Sequence, residues 1–172
     1  MQVKAAVLMV GLAFCLSACY SDFPIDPAPQ AELDAILLGT WRCLPADPRP
    51  DTDPLNYVVS TARRGVYAIR LEVKDEEPLL LEAYFSVVKG QRLLNVRDLD
   101  PKLPARPWLY ARYSLPFPNV LRVQIVQEDL FKSAEQTPAG YRRVLEGLAS
   151  ASSGYEDYAV CIRARAGGTA WN

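Results

Sequence analysis

Val66-Tyr67-Ala68-Ile69-Arg70-Leu71-Glu72-Val73-Lys74 alternates side by side for nine residues. Tyr67, Ile69, Leu71 and Val73 fall on one face of an extended chain, and Ala68, Arg70, Glu72 and Lys74 on the other. A strand of this kind has one buried and one wet face, as in an antiparallel sheet. Reading outward, Arg63-Arg64-Gly65 is a turn signal that leads back to a strand over Leu55 to Thr61. On the other side Asp75-Glu76-Glu77-Pro78 turns the chain into Leu79 to Val88. That next strand is apolar on both faces, with Leu81, Ala83, Phe85 and Val87 opposite Leu80, Tyr84 and Val88. Its second face requires a cover.

The β pattern continues. Lys89-Gly90-Gln91 is a tight turn into Arg92 to Leu99, and Asp100 to Pro107 is a proline-rich connection. Trp108 to Leu115 and Val120 to Gln127 are two more strands, with Pro116 to Asn119 between them. The period then changes to that of a helix: Thr137 is a capping residue, Pro138 lies in the first turn, and Tyr141, Val144, Leu145 and Leu148 form one apolar stripe. This helix is expected outside the sheet, over the second faces of the Leu79 and Trp108 strands, where apolar surface is unmatched. Ser150 to Gly154 releases the chain into a last strand, Glu156 to Ala164. At the other end, Leu33, Ile36 and Leu37 recur at helical spacing before Gly39, which predicts a short helix from about Pro29 to Leu38. Thr40 to Leu44 is the first strand, with Trp41 and Cys43 on one face. Eight short strands joined mostly by hairpins predict a mainly β, single antiparallel eight-stranded barrel with a short N-terminal helix and one helix before the last strand. A two-sheet β-sandwich is the alternative.

The amino terminus sets the compartment. Lys4 precedes an apolar run from about Ala5 to Leu16 and then the small residues Ser17 and Ala18, the layout of a secretory signal. The run is short of the roughly 20 residues that a spanning helix needs. Leu16-Ser17-Ala18-Cys19 resembles the lipobox of bacterial lipoproteins. The resemblance implies that residues 1–18 are removed as a signal peptide and that Cys19 becomes the acylated, palmitate-bearing first residue. It also implies a lipid-anchored place in the cell envelope. Tyr20 and Ser21 follow where an aspartate would signal inner-membrane retention in that family, which favours the outer membrane, facing the periplasm. Residues 19–30, with Pro24, Pro27 and Pro29, are expected to form a tether. The barrel domain then spans 31–166, and 167–172 is a disordered tail. Cys15 leaves with the signal and Cys19 is taken by lipid, so Cys43 and Cys161 remain. An even pair in an exported protein reads as a disulfide.

The combination of an early helix, Gly39-Thr40-Trp41 on the first strand and Arg163 on the last resembles the lipocalin and wider calycin arrangement. In that group a glycine-x-tryptophan packs with a late arginine, so Trp41 and Arg163 are implied as a barrel-closing pair. The chain departs from lipocalins in placing its long helix before the last strand. Its layout is also similar to small bacterial lipoproteins of barrel type, a group that implies no activity. Lipoproteins that inhibit c-type lysozyme are similar in size and anchor, and Ser153-Gly154-Tyr155 loosely resembles their serine-glycine loop, without the rest of their pattern.

Composition excludes much chemistry. The chain has no histidine, which removes histidine-assisted nucleophilic catalysis and the commonest zinc ligand. With both mature thiols paired, a cysteine nucleophile is excluded too. Loss of Lys4 leaves 18 basic against 20 acidic side chains, without the concentrated positive charge that nucleic acid requires. Asp47, Asp51 and Asp53 invite a calcium reading, but the bend glycine and closing glutamate of a hand-type loop are missing. Ser86-Val87-Val88-Lys89 has serine-x-x-lysine spacing, yet on a strand those two residues point to opposite faces. Glu76-Glu77, Glu128-Asp129 and Glu156-Asp157 sit at strand ends, where solvated charge is the default. No catalytic residue, metal or cofactor is expected. The function expected is a membrane-anchored, non-enzymatic envelope lipoprotein that binds a small apolar ligand or a protein partner. The alternative is a periplasmic or surface inhibitor, or interaction protein, of an envelope or host enzyme. Tyr67, Phe85 and Tyr113 are the interior candidates for a ligand-lined barrel.

Overall fold

A computed structural model describes residues 21–49, 52–73, 76–100, 108–148 and 153–164. The signal segment with its lipobox and Cys19, the loop residue Asp51 and the tail 167–172 lie outside the described residues. Eight strands follow in chain order: β1 (Gly39–Pro45), β2 (Leu55–Arg63), β3 (Val66–Glu72), β4 (Leu79–Val88), β5 (Gln91–Asp98), β6 (Trp108–Phe117), β7 (Val120–Val126) and β8 (Tyr155–Arg163). Each pairs antiparallel with the next, and β8 pairs with β1, so the sheet closes into an up-and-down barrel of lipocalin-like layout. The sandwich is excluded by that continuity: no strand edge is left between β1 and β8 at which a second sheet would begin.

Alternation places one residue set inside. Trp41, Cys43, Tyr67, Ala83, Phe85, Leu121, Ala159 and Cys161 form a buried interior cluster. The opposite faces of β4 and β6 form a second core outside the barrel, where Tyr84, Val88, Trp108 and Tyr110 meet Tyr141 and Leu145 of α1 (Pro138–Leu148). The helix therefore covers the two-sided strands, as the unmatched apolar faces require. Thr137 Oγ1 accepts from the Gly140 N–H at 3.0 Å and caps it. A single 3₁₀ turn, Glu128–Phe131, adds Phe131 stacked on Tyr141 at 4.4 Å between ring centroids.

Two expectations change at the amino terminus. The helix expected over Pro29 to Leu38 is a single 3₁₀ turn, Ala35–Leu37. The preceding residues are drawn out along the barrel instead: the Gln30 N–H donates to the Phe85 carbonyl at 2.8 Å and the Asp34 N–H to the Tyr67 hydroxyl at 2.6 Å. Nor is residues 21–30 a free spacer. Ser21 and Ile25 are buried, and Phe23 packs edge-on against Tyr141 at 4.9 Å. This stretch is a strap down the outside of β4, β5 and β6. Proline leaves it without a backbone ladder, and side chains take that place. Asn95 Oδ1 accepts from the Ile25 N–H at 2.8 Å, and the Tyr84 and Tyr110 hydroxyls donate to the carbonyls of Asp26 and Phe23. Arg142 of the helix grips Asp26 at 3.0 Å and the Val87 carbonyl at 2.7 Å, so helix, strap and barrel wall are joined.

The β1/β8 seam is closed twice. Cys43 and Cys161 are opposite each other in register and form a disulfide across a sequence separation of 118. Trp41 and Arg163 are also paired in register, with the guanidinium 4.3 Å from the indole ring centre. Arg163 donates to the carbonyls of Leu38, at 2.8 Å, and Ile36, and the Trp41 indole N–H donates to the Leu37 carbonyl at 2.9 Å. Gly39 begins β1 at φ 115°, and a Cβ there would sit 3.0 Å from the Arg163 guanidinium. Glycine meets both demands of this corner.

Candidate functional site: a one-ended apolar cavity

The barrel interior is filled at one end and hollow toward the other. The floor lies at the end where β1 starts and where the β2–β3, β4–β5 and β6–β7 hairpins turn. Leu37 is driven into it by the 3₁₀ turn. Tyr67 and Phe85 meet edge to face at 5.9 Å, Tyr113 tilts against Phe85 at 6.2 Å, and the Arg92 guanidinium lies 3.9 Å from the Phe85 ring centre. One residue ties these groups to the amino-terminal segment. The Asp34 carboxylate accepts from the Tyr113 hydroxyl at 2.5 Å and caps the turn through the Ile36 N–H at 3.1 Å. The Tyr67 hydroxyl bonds the Asp34 backbone in both directions. Arg92 lies 4.0 Å from that carboxylate and donates to the Glu32 carbonyl.

The Tyr113 hydroxyl holds the Asp34 carboxyl below its ordinary value against the opposing effect of desolvation, with further help from the Ile36 N–H and Arg92. Burial, and then the bond to the ionised Asp34, pushes the Tyr113 phenol well up. Both shifts describe a latch that is closed with Asp34 ionised and Tyr113 neutral.

Above the floor lies a cavity of about 190 Å³. An apolar cavity of about 150 Å³ accepts a benzene ring, so this one has room for an aromatic ring or a short acyl segment. Its walls are the inward residues of all eight strands, from Tyr67, Ala83 and Ala111 near the floor to Leu71, Leu79, Leu81 and Leu109 near the far end. The small side chains Ala83, Ala111 and Ala159 make the hollow: each points inward and leaves space that larger residues would fill. Polar groups converge at one place on the wall. Tyr57 on β2 and Tyr158 on β8 both line it, and burial, followed by the neighbouring Tyr158, pushes Tyr57 well above the usual tyrosine range. Either hydroxyl can donate to or accept from a polar atom on an otherwise apolar guest.

The cavity opens at the end where β5 finishes and β6 begins, with Asp98 on its edge. Leu79, Leu81 and Leu109 point inward here yet remain only half-buried. Among the described residues, the charges in the β1–β2 and β3–β4 loops at this mouth are Asp47, Asp53, Glu76 and Glu77, all exposed, against Arg49.

Of the interior candidates read from sequence, Tyr67 and Tyr113 line the cavity, and Phe85 packs in the floor below it. Ser86 is buried under the strap, accepting from Asn95 at 2.9 Å, while Lys89 is exposed in a turn, so the two are not brought together. Asp157 is held by Arg122 and Gln124 on the outer surface. Among the described residues no group of three histidine, cysteine or carboxylate side chains is arranged to hold a metal ion, and no helix is long and apolar enough to cross a membrane. Sequence reasoning missed Asp34 and the Tyr57/Tyr158 pair. A signal for the second existed, two tyrosines on strands flanking the Trp41–Cys43 strand, but their convergence depends on barrel closure. The chain matches no protein-family model, no curated protein and no solved structure.

Proposed function

We propose that the chain is exported, acylated on Cys19 and held on the envelope membrane, and that its barrel is a non-enzymatic binding module for a small apolar ligand or one acyl segment of a larger lipid. The supporting observation is the cavity: about 190 Å³, lined mainly by apolar side chains, with the Tyr57/Tyr158 hydroxyls on its wall and Asp98 at its edge, filled at one end and open at the other. Such a hollow stays unfavourably solvated or empty unless something apolar enters it. The lipobox and the paired cysteines support export, and Tyr20 and Ser21 in place of an aspartate after Cys19 support the outer membrane. Filling the hollow tests the reading. Ala111→Phe should lower affinity for a fluorescent fatty acid by about tenfold or more, while far-ultraviolet circular dichroism stays unchanged. Equal affinity in the variant, together with no small molecule retained on native mass spectrometry of protein taken from its own envelope, would remove the ligand reading.

One observation favours the alternative, a protein-binding or inhibitory role. Phe117, Ile162, Val160 and Leu44 are exposed on the outer face of neighbouring strands β6, β8 and β1, with Val120 of β7 between Phe117 and Ile162 in register. Under that reading Ile162→Glu would abolish capture of the partner and leave fatty-acid binding intact.

A further inference from the structure

We propose that the barrel docks mouth-down on the membrane that carries its anchor and takes acyl chains directly out of that bilayer. The inference rests on acylation of Cys19 and on the apolar-ligand reading above. It adds an orientation and a source.

The orientation follows from where the strap begins. Ser21 is buried and locked to Trp108 by two backbone hydrogen bonds, Ser21 N–H to the Trp108 carbonyl at 2.9 Å and Trp108 N–H to the Ser21 carbonyl at 2.7 Å. Its hydroxyl also accepts from the Phe23 N–H. Trp108 is the first residue of β6, one strand position from Leu109 and across from Arg97, next to Asp98 on the edge of the cavity. Only Tyr20 separates Ser21 from Cys19. Two peptide steps span at most about 7 Å. A lipid on Cys19 therefore holds the mouth end of the barrel against the headgroups. The floor end stands away: β4 alone has ten residues, which at barrel tilt lifts the opposite hairpins by about 25 Å.

Side chains near the mouth fit that surface. Leu80 on β4 and Leu44 on β1 lie toward the mouth ends of their strands and expose 50% and 38% of their surface. An apolar side chain held at the headgroup boundary is desolvated without a protein partner. The acidic loops give the lipid class. Among the described residues of the β1–β2 and β3–β4 loops, Asp47, Asp53, Glu76 and Glu77 against Arg49 would be repelled by an anionic surface and tolerated by a zwitterionic one. With the mouth on the bilayer, an acyl chain passes from lipid to cavity without crossing water, and the Tyr57/Tyr158 hydroxyls meet whatever polar atom follows it.

The test uses the acylated full-length protein in zwitterionic vesicles containing spin-labelled lipid. A fluorophore is attached through Glu77→Cys, in a mouth loop, or through Asn119→Cys, in a floor hairpin. The expected result is strong quenching at position 77 and little at 119. Inserting about twelve flexible glycine and serine residues between Tyr20 and Ser21 restores a free spacer and should abolish that difference. The insertion should also slow transfer of a fluorescent fatty acid from vesicle to protein by about tenfold, because the mouth loses its local concentration at the bilayer. Equal quenching at both positions, or a transfer rate indifferent to the insertion, in protein whose Cys19 carries acyl chains by mass spectrometry, would overturn the docking and leave anchor and cavity standing. Absence of acyl mass on Cys19 would overturn the docking together with the reading beneath it.

Discussion

Asp34 concentrates on one carboxylate the task of closing the barrel's floor, since it caps a turn, receives the Tyr113 hydroxyl and faces Arg92. Its folded pKa lies below the unfolded value, so the latch contributes its full stability above the ordinary aspartate range and loses it as pH falls through the folded value. Asp34→Asn should therefore cost about 1–2 kcal/mol at pH 7. Urea unfolding at pH 7 and near pH 3 should show a smaller acid loss for the variant than for the wild-type chain. None of this was legible in sequence. Asp34 stands among residues with helical spacing, and its tyrosine partners are 33 and 79 positions away. Trp41 and Arg163 were legible only through resemblance, since an early glycine-x-tryptophan and a late arginine are similar to the calycin arrangement. Their direct pairing in register follows from closure.

Among elements, strands were the readable part. A period of two is local, so both ends of β4, the start of β3 and the inward faces of Tyr67, Ile69, Ala83 and Phe85 follow from the side-chain sequence alone, while β3 ends at Glu72, short of the expected Lys74. The docking place of α1 was legible for a less direct reason: β4 and β6 carry apolar residues on both faces, and the helix is the only later element with a matching stripe. The strap was not legible, because Pro24, Pro27 and Pro29 destroy any period and its hydrogen-bond partners, Tyr84, Asn95 and Tyr110, lie in strands far along the chain. The helix gives two predictions. Leu145 is fully buried between α1 and the barrel wall, and Leu145→Ala should cost about 2–5 kcal/mol in chemical unfolding. Gly140→Ala would favour an isolated helix by up to about 1 kcal/mol. Here the added Cβ would lie 2.1 Å from the Glu135 carbonyl oxygen, so a lower melting temperature is expected instead.

For the whole molecule, closure is the organising fact. The Cys43–Cys161 bridge spans 118 positions, a loop for which chain entropy gives about 4–5 kcal/mol. The β1–β8 backbone ladder and the Trp41–Arg163 contact remain when the bridge is cut, so reduction, or Cys43→Ala with Cys161→Ala, should lower the urea midpoint without abolishing the fold. The strap gives the closed barrel a mechanical asymmetry. Tension applied at the amino terminus loads the Ser21–Trp108 bridge first, then Ile25–Asn95 and Asp26–Tyr84, one contact at a time, as adhesive tape is peeled. Single-molecule pulling from residue 21 should show an early, low-force extension of about 35 Å as residues 21–30 lift off. A stiff remainder follows, in which residues 43 to 161 cannot lengthen until the bridge is reduced. The point at which the chain would meet a membrane is thus also the point from which it yields, and the barrel behind it is shielded from the pull.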